Sequence, residues 1–221
     1  EAYAKNDREA IEEIEQEIET ALNTVGQKRL LVLDQKRLTL RKKIDEASVD
    51  LSGIAKGFAI DQISNSLKAR GISDYLVEIG GDLYASGKKG PKSPWVIGIE
   101  KPDQRLGEVD VILRIADKAV ATSGDYRNFF EKDNRRYSHI IDPKTGRPIS
   151  HQTASVTVLA DNAMNADAWA TAMMVLGAKK GLVIAEKNNL AVFFILRKGA
   201  NFHSVSSRHF KDAVLNSKTN E

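Results

Sequence analysis

The sequence predicts an α+β fold: a single domain with mixed or antiparallel sheets and helices packed on them. Three observations carry that expectation. Strand-like segments mostly follow one another while helical segments fall in separate groups, unlike the regular alternation of βαβ units. The 221 residues are 42% hydrophobic, ample for a packed core. No internal repeat and no low-complexity linker divides the chain.

Each element has its own signal. In residues 6–23, Ala10, Ile11, Ile14, Ile18, Ala21 and Leu22 recur at helical spacing with glutamates between them, which predicts an amphipathic helix with an acidic outer face. Residues 29–34 and 37–41 alternate as two strands of a hairpin around a Gln35-Lys36 turn. Residues 49–51 read as a third strand. Ala59, Ile60, Ile63 and Leu67 define a helix that Gly71 can end in a left-handed cap. Residues 75–79 form a strand, and Gly80-Gly81-Asp82 a turn with unusual backbone angles. Strands are expected at 95–99, 109–115, 119–123 and 137–141, then a tight turn at 142–148. There follow a strand at 154–159, the helix containing Asp167, a second helix at 179–186, an apolar strand at 190–196 and a short strand near Phe202.

Bulk properties exclude several function classes. The 33 basic and 30 acidic residues give a formal net charge of +3, too balanced for a nucleic-acid protein, and aromatic-plus-basic stripes are absent. The apolar run at 190–196 is far shorter than the roughly 20 residues of a spanning helix. With no cysteine there are no disulfides, no thiol catalysis and no thiolate metal sites, so any metal is held by oxygen or histidine. No signal peptide is seen within the sequence, and the start at Glu1 fits a mature or trimmed form, so targeting is left open.

Four segments can carry chemistry. Asp167 and Thr171, four residues apart in an Ala-rich helix, place two oxygen donors on one helix face, either as part of a cation site or as an exposed carboxylate beside a threonine back-bonded to its own helix. A hard cation such as Mg²⁺ accepts few protein ligands, so a third oxygen must come from elsewhere, and a backbone carbonyl in the glycine turn at 53 is a candidate. Residues 49–57 run from strand to small turn to helix, a geometry that directs backbone N–H groups at a phosphate, with Lys56 adding charge and Asp50 available for a sugar hydroxyl or ring amino group. The alternative is that Ser52 caps the helix and Gly53 and Gly57 only permit the turn. His139, in a strand leading into a turn, is either a general base or a partly buried histidine satisfied by a neighbour. Thr122, Ser123 and Arg127 lie in a glycine-broken polar segment that can touch a ligand or serve as a capped loop.

Together, Asp50-Leu-Ser-Gly-Ile-Ala-Lys-Gly-Phe-Ala59, Glu78-Ile-Gly-Gly-Asp82, Thr122-Ser-Gly-Asp-Tyr-Arg127, Ser138-His-Ile-Ile-Asp-Pro-Lys-Thr-Gly-Arg-Pro148 and Ala166-Asp-Ala-Trp-Ala-Thr171 resemble the ApbE-type FAD:protein FMN transferases. The resemblance implies that family's fold and a Mg²⁺-dependent enzyme. Such an enzyme cleaves FAD at its pyrophosphate, attaches FMN through a phosphoester to a threonine or serine of an acceptor protein, and releases AMP; some relatives only hydrolyse FAD. It also implies that Asp167, Thr171 and the Gly53 carbonyl hold the metal, that Asp50, Lys56, Ile141 and Ser123 contact FAD, and that His139 activates the acceptor hydroxyl. Implied partners are FAD and acceptor subunits of membrane redox complexes, on the periplasmic side of the inner membrane, with a lipid anchor on the enzyme and no nucleic acid. The N-terminal part departs from the pattern. Either the chain lacks helices that help enclose the flavin, or residues are missing between about Val25 and Gly26. A Mg²⁺-dependent FAD pyrophosphatase and a non-catalytic flavin-binding or storage protein are the alternative functions.

Overall fold

The computed structural model describes residues 8–91, 93–102, 109–125, 129–132, 135–199 and 201–216. In chain order the elements are α1 (Arg8–Leu22), α2 (Gln27–Leu30), β1 (Leu31–Asp34), β2 (Thr39–Lys42), α3 (Ser52–Ala69), β3 (Tyr75–Ile79), β4 (Asp82–Ser86), β5 (Trp95–Glu100) and β6 (Val109–Ile115). These are followed by β7 (Lys118–Gly124), β8 (Phe129–Lys132), β9 (Arg135–Ser138), β10 (Ile141–Asp142), β11 (Arg147–Pro148), β12 (Thr153–Ala160), α4 (Ala163–Lys187), β13 (Ala191–Lys198), β14 (Asn201–Ser206) and α5 (Arg208–Asn216). The class is α+β, and among the described residues every strand pairing is antiparallel. The chain divides into two compact units, residues 1–50 with 140–149, and residues 51–139 with 150–221.

In the first unit the Arg29 guanidinium closes the C-terminal end of α1 by donating to the carbonyls of Leu22, Asn23 and Val25. β1 and β2 pair with Leu33 opposite Leu40. The Asp34 carboxylate accepts the N–H groups of Lys36 and Arg37, which sets the hairpin turn. The expected hairpin is therefore present, but its first strand starts two residues later than predicted because 27–30 coil into a short helix. Residues 49–51 are not a strand: no described segment offers them a ladder partner. In the turn between β10 and β11 the Asp142 carbonyl accepts the N–H of Gly146 at φ +67, and Arg147 pairs with Glu15 of α1.

The second unit is built on a six-stranded sheet in the order β14-β13-β12-β7-β4-β3. Strand alternation sends Val156, Val158, Val192 and Phe194 to one face, where they meet α4 through Ala166, Ala170, Met173 and Met174, all fully buried. Leu83, Val120, Leu159, Phe193 and Ile195 point to the other face and pack with Leu113 and Ile115 of the β5–β6 ribbon and Phe210 of α5. α4 is long and apolar enough to cross a membrane by composition, but here it is the core helix of the unit. It breaks at Gly177 (φ 70, ψ 166), so the two helices expected from sequence are two arms of one bent element. α3 ends as expected: Gly71 at φ +78 donates to Lys68 O and Ile72 to Leu67 O, the double bond of a Schellman cap.

Other expectations required correction. Ser52 is the first helical residue and does not occupy the cap position; that place belongs to Leu51, which has no capping side chain. The strand at 137–141 is two pieces, with His139 in the bend between β9 and β10. β4 was hidden because all five of its residues are buried, which leaves no alternation to see.

Candidate functional site

The site is assembled where α3 crosses α4. At Gly57 a Cβ would lie 2.3 Å from the Ala163 carbonyl oxygen, so only glycine lets the two helices approach this closely. That approach brings the Gly57 N–H to Asp167 Oδ2 at 3.0 Å. One turn back along α3, Gly53 faces Thr171: a Cβ there would be 3.4 Å from its Cγ2 and 3.7 Å from its Oγ1. Asp61 locks the crossing by accepting the N–H groups of Ala163 and Met164 at the start of α4, at 2.8 and 3.0 Å.

Sheet strands complete the cluster. Thr122 and Ser123, adjacent in β7, point to opposite faces. Ser123 Oγ reaches Thr171 Oγ1 at 3.5 Å, at the limit of a hydrogen bond, and Thr122 Oγ1 bonds Thr157 Oγ1 at 2.9 Å. Asp82, which follows the glycine turn, binds Lys56 Nζ at 2.5 Å and the Thr122 N–H at 3.0 Å.

Asp167 is 3% exposed, and burial pushes its carboxyl above the ordinary carboxylate range; the Gly57 N–H pulls it down, Asp82 pushes it up and Lys56 pulls it down. Its Oδ2 holds the Gly57 N–H, while Oδ1 accepts no hydrogen bond among the described residues. Among the described residues no group of three or more histidine or carboxylate side chains is placed to hold a metal ion. A nitrogen-rich transition-metal centre is therefore not what this donor set offers. One buried carboxylate, a hydroxyl and a neighbouring glycine backbone suit a hard cation that takes few protein ligands.

Next to the cluster lies a cavity of about 540 Å³ whose walls include Glu78, Gly80, Gly81, Glu100, Thr122 and His139. His139 is exposed on it, so three of the sequence motifs converge on one space. The structure thus brings Gly53, Lys56, Ser123, Asp167 and Thr171 together and sets His139 at the adjoining cavity, which shares Thr122 with the cluster. Asp50 and Ile141 belong to the first unit and are both exposed. Arg127 lies outside the described residues.

Sequence reasoning missed three carboxylates. Asp82 has the local signature of a turn residue, and its place after two glycines is the available signal. Asp61 left no signal. Asp125, in the polar segment with Thr122, is itself buried, forms a bidentate pair with the partly buried Arg197 of β13 and anchors the end of β7.

The family model described as the ApbE family matches residues 3–194. The FAD:protein FMN transferase of Vibrio cholerae is 47% identical over 173 residues, 78% of this chain and 52% of that protein. The Escherichia coli protein of the same name is 38% identical over 205 residues, 92% of this chain and 58% of its own length. Among solved structures, the apo form of the Pseudomonas stutzeri flavinyl transferase ApbE superposes with a TM-score of 0.80 at 42% identity, covering 90% of this chain and 60% of that one. The chain spans about half the length of the curated relatives it matches.

Proposed function

Because the chain belongs to the ApbE family, we propose that it transfers FMN from FAD to a threonine or serine hydroxyl of an acceptor flavoprotein and releases AMP, residues 1–221 acting as one flavin transferase domain. The observation that carries this reading is the convergence of Gly53, Lys56, Asp167 and Thr171, distant in sequence, on one helix crossing beside the His139 cavity.

In the proposed reaction the acceptor oxygen forms a bond to the FMN phosphorus, the bond from that phosphorus to the bridging oxygen breaks, and AMP leaves with the electron pair. The hydroxyl proton passes to His139, whose neutral imidazole nitrogen can accept it as a general base. Lys56 and the first N–H groups of α3 bind phosphate oxygens. Asp167, Thr171 and the Gly53 carbonyl would hold Mg²⁺, which when bound offsets charge on the pyrophosphate. Ser123 keeps Thr171 in place through their mutual contact. Asp50 and Ile141 are proposed FAD contacts, and acceptors are proposed to be subunits of membrane redox complexes, with a lipid-anchored periplasmic enzyme; these rest on the family resemblance.

Incubation with FAD, Mg²⁺ and a flavin-acceptor domain, followed by in-gel flavin fluorescence, tests the reading. A fluorescent acceptor band is expected. Steady FMN and AMP release without labelling of several acceptors would identify a pyrophosphatase instead, and tight binding of FAD that stays intact would identify a flavin-binding protein.

A further inference from the structure

Asp82 is the most enclosed charge of the cluster, 1% exposed, and both of its oxygens are in use. Burying a carboxylate is costly unless its partners are well placed. Here one partner is the fixed N–H of Thr122, while the other is the Lys56 ammonium on its flexible four-carbon stem. The backbone explains how the carboxylate gets there: Gly80 and Gly81, at φ +58 and +91, turn the chain so that Asp82 enters β4 on the face that carries α3. At Gly80 a Cβ would sit 3.7 Å from Lys56 Cδ, so the turn also lines the lysine's path.

Lys56 is also within electrostatic reach of Asp167, as is Asp82. An ammonium free to pair with Asp167 would fill the place of a cation there. Held by Asp82, it cannot. Two carboxylates against one ammonium then leave the cluster with one negative charge in excess, which favours a divalent cation.

We propose that Asp82 is the positioning residue of this cluster: it holds the Lys56 ammonium away from Asp167, leaving the Asp167 carboxylate to a cation and the ammonium to a phosphate. The roles of cation and phosphate rest on the flavin-transfer reading; the hold on Lys56 does not.

The test uses the full chain without FAD and Mn²⁺ alone as the probe. Asp82→Asn, which keeps an acceptor for the Thr122 N–H, is expected to weaken Mn²⁺ binding about tenfold, the scale of one charge-assisted hydrogen bond. Adding Lys56→Gln is expected to restore affinity to near the wild-type value, a rescue that a merely structural defect would not give. A double variant as weak as Asp82→Asn overturns the proposal. So does a tenfold gain in affinity from Lys56→Gln alone, because it would mean that Lys56 already opposes the cation in the wild type. If the wild type binds no Mn²⁺, the cation reading fails, and a crystal structure of metal-free Asp82→Asn still decides the positioning: Lys56 Nζ on an Asp167 oxygen supports it, and an ammonium still directed at residue 82 overturns it.

Discussion

The backbone N–H of Gly57 donates to the carboxylate of Asp167 at 3.0 Å, joining two helices whose bonded residues are 110 positions apart in the chain. Helix contact and site assembly are thus one event. The glycine is needed twice, for its missing side chain and for its N–H.

Gly57→Ala should therefore damage stability and site together. The added methyl meets backbone of α4, which cannot rotate away as a side chain would. We expect a loss of about 2 kcal/mol or more in urea unfolding, with weakened Mg²⁺ binding. A wild-type unfolding midpoint would show that the helices do not meet as described.

Asp167 gives a prediction with a definite sign. Its folded-state pKa is raised by burial, so its contribution to stability is fully present below the unfolded carboxylate pKa and is lost as pH rises through the folded value. At pH 8 the ionised group costs stability. In EDTA, Asp167→Asn, which still accepts the Gly57 N–H, should melt at a higher temperature than wild type at pH 8, and the gap should close in mild acid. We expect Mg²⁺ to raise the melting temperature of the wild type, and the same substitution should abolish that rise. A lower melting temperature for the variant at pH 8 in EDTA would remove the burial argument.

Much of this was legible in the sequence, and the failures have physical causes. The strands at 75–79, 109–115 and 190–196 and the Gly71 helix end are local signals, and local signals survived. Asp167 and Thr171 could be paired from their spacing alone, because one helix carries both. β4 could not be seen because burial on both faces erases the period of two. Residues 49–51 have strand composition, but a strand exists only with a partner. Asp82 was the largest loss: its role depends on Lys56 and Thr122, contacts 26 and 40 residues away that no local pattern encodes.

The Asp125–Arg197 pair lies away from the donors yet fixes the strand end that carries Thr122 and Ser123. Asp125→Ala leaves a partly buried guanidinium without its carboxylate, and we expect about 2 kcal/mol of destabilisation by chemical unfolding. Replacing both partners by apolar residues of similar volume should cost less. If the double replacement costs more than Asp125→Ala alone, the ion pair is not the source of the loss.

His139 lines the cavity and stands apart from the Asp167–Thr171 pair. His139→Ala should lower the rate of transfer to the acceptor by about 10²-fold or more while FAD affinity, read by titration of flavin fluorescence, stays near wild type. Equal loss of both would make His139 a structural residue.

The most direct measurement is the intact mass of an acceptor domain incubated with this protein and FAD, in Mg²⁺ and separately in EDTA. A gain of one FMN phosphoester on a threonine or serine is expected with Mg²⁺, matched by AMP release, with an unmodified acceptor in EDTA. An unmodified acceptor and whole FAD in both conditions would contradict the flavin-transfer reading.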